Sequence, residues 1–405
     1  MKTLVVFLGC LLLVGMGFTV DGLLPIDHCP CQINIPGSYI VVKNLVMNQG
    51  ATDNCITIKA SNVSINLNGF TLYGTASSGI GIAAEKDCDN ITVTNGIICN
   101  FGKSAISLPG NTYQVVKVKM VQNKEYGIYN IGYGGIIKDN LVEGNGFTGI
   151  HVGKGATITG NSVCYNGKIG INCMEGCTLI GNSVGDNRGI GIYCSNGCTI
   201  TDNSVCKNGS DGIRGEDGNT LIGNTVCENA KTGMVLNTDG KVTDNNISEN
   251  TQDGIYARNG TIITGNSVNG NGRNGINIFG QGCSINNNNC FSNRSSGINI
   301  DSDAVKTIVF KPGGPKGLSY YVSGCMVNNN NCSNNTFAGI EINAGANSIT
   351  QNLCYNNNAY GMWQSSSIFK RVGNSRFEQN KLKWNGTALS SNISLGTGDL
   401  ANVSF

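Results

Sequence analysis

The chain has 405 residues, with 58 Gly, only 6 Pro and 13% charged residues, and its formal net charge at pH 7 is +2. Such a balance lacks the long basic or acidic surfaces that bind nucleic acid or anionic membranes. Charge therefore excludes these partner classes without pointing to another.

The first 20 residues, MKTLVVFLGCLLLVGMGFTV, combine one Lys with an apolar run that ends near small residues. This pattern is typical of a secretory signal peptide. No later stretch reaches the roughly 18 consecutive apolar residues of a membrane span. We therefore expect an exported monomer without a membrane span, which is secreted, periplasmic or held at the cell surface.

Residues 21–60 are predicted as an N-terminal cap, 61–365 as a repetitive domain and 366–405 as a C-terminal cap or tail. The segments NVSINLNGFTLYG (62–74) and NITVTNGIICNFG (90–102) read as the first regular repeats. Caps are expected because an open end of a repeat array exposes strand edges and core.

From residue 153 the chain divides into units of 21 residues, such as MEGCTLIGNSVGDNRGIGIYC and SNGCTITDNSVCKNGSDGIRG. Two Asn columns mark the register. The first contains Asn140, Asn161, Asn182, Asn203, Asn224, Asn245, Asn266, Asn288, Asn330 and Asn352. The second contains Asn123, Asn145, Asn166, Asn187, Asn208, Asn229, Asn250, Asn271, Asn293, Asn335 and Asn357.

Apolar residues alternate over very short runs within each unit, as in Thr157-Ile158-Thr159, which indicates half-buried strands. Three such strands cannot bury their inner faces alone, so successive units must stack in parallel. The fold predicted is all-β: a single-stranded right-handed parallel β-helix with three short strands in each coil. Asn suits its corners because Asn tolerates left-handed backbone and its amide can bond to the next coil.

Residues 301–323 interrupt this pattern, because both Asn columns jump by twice the period after Asn293. The segment holds two of the 6 prolines and a strand-like echo, Gly317-Leu318-Ser319-Tyr320. We expect one irregular coil here, and a loop standing off the helix is the alternative.

The segments CITIKASNVSINLNGFTLYG, NITVTNGIICNF and the repeated GNSV resemble the secreted parallel β-helix proteins of the pectin-lyase-like superfamily. The resemblance covers residues 29–363. It implies the fold, and it implies either a glycan-binding role or polysaccharide lyase, hydrolase or uronate epimerase activity. The element NTDG at 237–240 matches the polygalacturonases, but their other elements are absent, as is the Asp-Pro-His of the mannuronan epimerases.

Of the 18 Cys, 17 remain once Cys10 in the leader is set aside, so at least one thiol lacks an intramolecular partner. Several cysteines are expected to stack as neighbours in adjacent coils, as disulfides or as buried thiols. They are Cys173 with Cys194, Cys177 with Cys198, Cys206 with Cys227, and Cys332 with Cys354. For the first four, a tetrahedral Zn²⁺ site is a third state that the spacing allows.

The third strand of each coil carries an outward column that mixes aromatic, amide and charged residues. We expect Tyr129, Asn172, Tyr193 and Tyr256 to bind a ligand, and the rings of the three tyrosines to lie ~14 Å apart along the axis. Such spacing suits an extended sugar chain, although strand propensity alone also places Tyr on solvent faces. His151 and Arg214 are the candidates for proton transfer and for pairing with a carboxylate.

Asp301, Asp303 and Glu341 are candidate Ca²⁺ ligands, with solvated loop charges as the alternative interpretation. No other cofactor is expected. The leading functional hypothesis is an exported protein that binds a polysaccharide or cell-surface glycan along one sheet face. Enzymatic action on an acidic glycan is the second hypothesis. The third is a flat-surface binder such as an ice-binding protein, suggested by the row Thr157, Thr178, Thr199 and Thr220.

Overall fold

The computed structural model describes residues 22–302, 305–308, 318–321, 323–364, 376–378, 380–383, 385, 387–389 and 403–404. The predicted signal peptide lies outside these residues. Within them, no helix is long and apolar enough to cross a membrane. The described chain is a right-handed parallel β-helix, as predicted.

Three parallel sheets run the length of the β-helix. The first sheet contains Leu24–Ile26, Gly37–Val41, Val63–Asn66, Ile91–Cys99, Gln114–Val121, Ile136–Lys138, Thr157–Thr159, Thr178–Ile180, Thr199–Thr201, Thr220–Ile222, Lys241–Thr243, Ile262–Thr264, Ser284–Asn286, Met326–Asn328, Ser348–Thr350 and Arg376–Glu378.

The second sheet shares Ile91–Cys99 and Gln114–Val121 with the first, so the two sheets are continuous there. Its other strands are Leu45–Val46, Thr71–Tyr73, Leu141–Glu143, Ser162–Cys164, Ser183–Gly185, Ser204–Cys206, Thr225–Cys227, Asn246–Ser248, Ser267–Asn269, Asn289–Phe291, Asn331–Ser333, Leu353–Tyr355, Lys381–Lys383 and Val403–Ser404.

The third sheet has 16 strands. They are Cys31–Ile33, Ile56–Ile58, Ile82–Ala84, Ile106–Ser107, Ile128–Tyr129, Ile150–Val152, Ile171–Cys173, Ile192–Cys194, Ile213–Gly215, Met234–Leu236, Ile255–Ala257, Ile276–Phe279, Ile298–Asp301, Ala338–Ile342, Tyr360–Gln364 and Thr387–Leu389.

The core is a set of aliphatic rows parallel to the axis, because in-register stacking places equivalent side chains one coil apart. Ile158, Leu179 and Ile200 follow one another in the first sheet, and Ile171 and Ile192 do so in the third. All five are fully buried. Burying such rows on stacking is the main source of stability in a repeat fold.

The two Asn columns form continuous buried ladders. Asn203 shows the pattern: its Nδ2 donates to Asn224 Oδ1 at 3.0 Å and to the carbonyl of Leu179 at 3.1 Å. Its Oδ1 accepts both the backbone N–H and the amide of Asn182, each at 2.9 Å. The ladders extend one coil further than the sequence columns, to Asn380 and Asn385.

The expectation that the corner Asn residues adopt left-handed backbone is wrong, whereas the expected amide bonds to the next coil are present. From Asn123 to Asn357, the left-handed residue is the one that precedes the ladder Asn, as at Gly181 (φ 61°) and Asp202 (φ 55°). The ladder Asn is therefore selected for its amide, which joins three coils, and its neighbour makes the turn.

Residues 301–323 do not form the irregular coil that we expected. Val305–Ile308 pairs antiparallel with Leu318–Tyr321, and this two-stranded pairing belongs to none of the three parallel sheets. Ile298–Asp301 pairs directly with Ala338–Ile342 across the insertion. A doubled spacing in the sequence fits an inserted hairpin as well as an extra coil, and hydrogen bonding in the hairpin favours the former.

The parallel pairing also begins before residue 61. Leu24–Ile26 pairs with Gly37–Val41, and Cys31–Ile33 pairs with Ile56–Ile58. These early coils lack the Asn ladders, so the repeat is invisible in their sequence. At the other end, Arg376–Glu378 and Lys381–Lys383 pair onto the last regular coil beyond residue 365.

Candidate functional site

The outward column of the third sheet runs without interruption along the β-helix. Its members in register are Tyr129, His151, Asn172, Tyr193, Arg214, Val235, Tyr256, Asn277, Asn299, Glu341 and Trp363. All are partly exposed. Strand spacing puts consecutive members ~4.8 Å apart.

An aromatic cluster of Tyr126, Tyr129, Phe147 and His151 occupies the N-terminal part of this face. The rings of Tyr129 and His151 stack with centroids 5.3 Å apart and planes 10° from parallel. Tyr126 packs against Phe147 at 5.0 Å, and Lys168 lies 3.8 Å above the Phe147 ring. The cluster presents rigid apolar ring surface together with one cation.

The surroundings of His151 favour its neutral imidazole. Burial lowers the pKa of its imidazole from 6.5. Asn172 Nδ2 lies 2.9 Å from His151 Nδ1, and since an amide nitrogen only donates, Nδ1 is the acceptor. The ring proton is therefore on Nε2.

A shallow groove with a volume of about 440 Å³ lies further along the column, and we call it the central groove. It is lined by Asp211, Arg214, Gly215, Glu216, Lys231, Thr232, Val235, Asn237, Gln252, Tyr256 and Arg258. The Arg214 guanidinium donates to Asp211 Oδ2 at 2.5 Å. Asp211 is buried, whereas 43% of the Arg214 side chain is exposed, so the pair fixes a guanidinium that still faces solvent.

Glu216 is held at both carboxylate oxygens. The Tyr193 hydroxyl donates to Oε1 at 2.9 Å, and Asn237 Nδ2 donates to Oε2. Burial, and then the Glu216 carboxylate, raise the pKa of Tyr193. The phenol therefore stays protonated and its ring orientation is fixed.

The cations of the central groove are free to meet a ligand. Neither Lys231 nor Arg258 takes part in an ion pair among the described residues, and both are exposed. Asp211 and Glu216 are already engaged by protein donors. The groove thus offers positive charge beside the Tyr256 ring, which suits a carboxylate-bearing sugar.

His151 and Arg214, the candidate catalytic pair, do not meet. Asn172 and Tyr193 stand between them in the register, so they are three strands apart, or ~14 Å. A single sugar ring cannot contact both side chains at that distance.

A polar network follows at Asn277, Asn299 and Glu341. Asn299 Nδ2 donates to Asn277 Oδ1 at 2.9 Å, and Glu341 accepts from Ser296 Oγ at 2.7 Å and from Asn343 Nδ2 at 2.9 Å. Of the candidate Ca²⁺ ligands, Asp301 Oδ1 accepts the Ser302 N–H at 2.8 Å, and Asp303 lies outside the described residues. Ca²⁺ binding here stays a prediction.

The cysteines stack as neighbours in adjacent coils. Cys206 and Cys227 form a disulfide on the outer side of the second sheet, and Cys29 and Cys55 form another near the N-terminal end. Cys332 lies in register between Cys290 and Cys354.

Because the hairpin replaces a coil, Cys283 and Cys325 are also direct neighbours. A coil at 301–323 would have kept them ~9.6 Å apart. In the part of the chain that the structure describes, the only group of three or more potential metal ligands is Cys173, Cys177 and Cys198.

Sequence reasoning missed Asp211, Glu216, Lys231 and Arg258, all at turns beside the outward column. One signal was available. Asp211 sits at a position where neighbouring units carry Ile190 or Thr232, and an acidic residue at a buried position indicates a partner such as Arg214.

The chain matches the family model described as the right-handed β-helix region over residues 104–240, 188–321 and 232–397. It belongs to this family. No sequence among the curated proteins matches it.

Solved structures with a similar fold include the A-module of a mannuronan C-5 epimerase from Azotobacter vinelandii, with 12% identity over 91% of each chain and a TM-score of 0.47. A variant of a periplasmic alginate epimerase shares 14% identity over 85% of this chain and 79% of its own, with a TM-score of 0.48. An α-1,3-glucanase from Streptomyces thermodiastaticus shares 13% over 90% and 64%, with a TM-score of 0.43. We take no functional conclusion from likenesses at this level.

Proposed function

We propose that the protein is exported and binds an extended, carboxylate-bearing polysaccharide along the outward face of the third sheet. The central groove carries the proposal. It combines a fixed, half-exposed guanidinium, two exposed cations and the Tyr256 ring within one shallow surface. Asp211 is paired with Arg214, and the two exposed cations, Lys231 and Arg258, outnumber the remaining carboxylate, Glu216, so the groove keeps an excess of positive charge for an anionic chain.

The aromatic cluster and Tyr193 extend this surface toward the N-terminal end. In the register, His151 and Asn172 lie between Tyr129 and Tyr193. Arg214 and Val235 lie between Tyr193 and Tyr256. Rings at every third coil, with the Asn172 amide and the Arg214 guanidinium between them, suit a polymer whose sugars offer apolar faces and hydroxyls in alternation. A compact ligand would need a deep pocket instead.

The experiment compares migration in affinity gels containing pectate, alginate or an uncharged glucan. We expect retardation by at least one acidic polymer and none by the glucan. The double substitution Tyr193→Ala and Tyr256→Ala should weaken binding at least tenfold, because each loses an aromatic contact worth about 1 kcal/mol. Tyr165→Ala is the matched control, since Tyr165 is exposed but directly follows strand Ser162–Cys164 of the second sheet.

Unchanged retention of the double variant, or equal retardation by the glucan, would refute the proposal. The same polymers are then assayed for unsaturated ends, new reducing ends and, by NMR, epimerised residues. Turnover that the Tyr variants abolish would assign catalysis to this face rather than binding alone.

A further inference from the structure

Four cysteine thiols from two adjacent coils lie together in the core, where the third sheet turns into the first. We call these residues, Cys173, Cys177, Cys194 and Cys198, the cysteine cluster. Cys173 and Cys194 are register neighbours with Sγ atoms 2.8 Å apart. Cys177 and Cys198 face them across the turn, and the Sγ atoms of Cys173, Cys177 and Cys198 lie within 4.8 Å of one another. No more than 1% of any of the four residues is exposed.

A polar side chain, that of Asn219, borders the cysteine cluster on the next coil. Asn219 follows Cys198 in its column, and its Oδ1 accepts the Cys198 N–H at 2.7 Å. Gly215 follows Cys194 in the other column. A Cβ on Gly215 would lie 2.7 Å from Asn219 Nδ2, so the amide occupies the space that this glycine leaves under the sulfurs.

The Asn219 amide nitrogen is buried and has no hydrogen-bond partner. An unpaired buried donor costs about 1–3 kcal/mol, so it calls for an acceptor that the apoprotein does not supply. Thiols accept hydrogen bonds weakly, whereas metal-bound thiolates accept them well.

We propose that Cys173, Cys177, Cys194 and Cys198 bind a thiophilic cation of the Zn²⁺ or Cu⁺ kind in the core of the β-helix, with Asn219 as a donor to the bound sulfurs. Zn–S bonds of ~2.3 Å imply S···S separations of ~3.8 Å in a tetrahedron. The Sγ atoms of Cys173 and Cys194, 2.8 Å apart, would therefore separate by about 1 Å on binding, whereas those of Cys173, Cys177 and Cys198 already lie within 4.8 Å of one another. The site is independent of the glycan-binding face.

On binding Zn²⁺, the four thiols release four protons to solvent and each sulfur donates one lone pair to the metal. The Cys177 and Cys198 thiols now donate to the carbonyls of Gly153 and Met174, at 3.2 and 3.1 Å. Those hydrogen bonds are exchanged for Zn–S bonds.

Disulfides Cys173–Cys194 and Cys177–Cys198 are the competing state. They would leave the Asn219 amide unpaired, and the Cys177 and Cys198 thiols are directed along the axis to carbonyls rather than to each other. Formation of both disulfides would also take two separate two-electron oxidations by an external oxidant, whereas metal binding by the four thiols needs none.

The test uses the full chain, kept reduced, and measures metal per chain after incubation with Zn²⁺ or Cu⁺ and removal of excess. We expect one ion per chain, and Co²⁺ in place of Zn²⁺ should give the visible absorption of a tetrahedral thiolate site. Cys173→Ser and Cys198→Ser should lose the ion, whereas Cys290→Ser, in a separate cysteine column, should retain it. Asn219→Leu should retain one ion but release it to a chelator at about tenfold lower chelator concentration.

In the reduced wild-type chain, absence of Co²⁺ absorption together with no uptake of Zn²⁺ or Cu⁺ would overturn the proposal without recourse to any variant. Peptide mapping of the native protein that finds the two disulfides would do the same. Metal uptake that Cys173→Ser and Cys198→Ser share with wild type would place the ion elsewhere.

Discussion

The Asn ladders and the outward column of the third sheet obey the same geometry, yet their chemistry differs. In the ladders every coil contributes the same residue, as with Asn182, Asn203 and Asn224, and each amide makes the same bonds. In the outward column Tyr193, Arg214 and Val235 succeed one another. A residue repeated in every coil stabilises the fold and marks no location, whereas a column that varies can define one place for a ligand.

The largest effect is expected from breaking a ladder. Asn203→Ala removes an acceptor from the Asn182 backbone N–H and amide, and a donor from the Leu179 carbonyl, all buried. We expect a loss of ~3 kcal/mol in unfolding free energy, because such unsatisfied groups cost about 1–3 kcal/mol each. Urea unfolding followed by circular dichroism measures it.

Thr199→Ala is the matched control, since Thr199 is exposed in the same coil on the first sheet. It should change stability by less than ~0.5 kcal/mol. Equal destabilisation by the two substitutions would contradict the structural role of the ladder.

A smaller effect is expected from the groove cations. Lys231→Gln combined with Arg258→Gln should weaken binding to an acidic polymer about fivefold, since exposed charge pairs contribute about 0.2–1 kcal/mol each. The loss should shrink as salt is added. Lys241→Gln, on the exposed face of the first sheet, should leave affinity unchanged. If Lys241→Gln weakens binding as much as the groove substitutions do, binding follows overall charge and has no preferred face.

The smallest effect concerns His151. Because burial lowers its pKa from 6.5, the unfolded chain binds a proton more readily than the folded chain. The stability that neutral His151 contributes is complete above pH 6.5 and is lost as pH falls below that value. Wild-type Tm should therefore fall more than that of His151→Gln when pH is lowered from about 7.5 to about 5.5. If the Tm of wild type and the Tm of His151→Gln fall equally over this pH range, His151 is not desolvated in the folded chain.

The repeat alone predicted the β-helix, the ladders, the core rows and the register of the outward column. It succeeded because each is a property of a column, and a fixed period places column members together. The row from Thr157 to Thr220 is likewise in register, and it continues into Lys241 and Ile262 as the sequence indicates.

Features that break the period could not be predicted in this way. The hairpin at Val305–Ile308 and Leu318–Tyr321 has a length that mimics a coil. The central groove takes Glu216, Lys231 and Arg258 from turns, where the repeat leaves side-chain direction open. Asn219 continues the column of Cys177 and Cys198, but the sequence does not show that its amide nitrogen is buried without a partner.

Oxidative footprinting by hydroxyl radicals, with and without a retarding polysaccharide, tests most directly whether ligand binds the third sheet. Tyr193 and Tyr256 should be protected by the polymer. Tyr165, which is 61% exposed and directly follows strand Ser162–Cys164 of the second sheet, should react equally in both samples. Protection of Tyr165 with unchanged reactivity at Tyr193 and Tyr256 would place the ligand on another face and contradict the proposal.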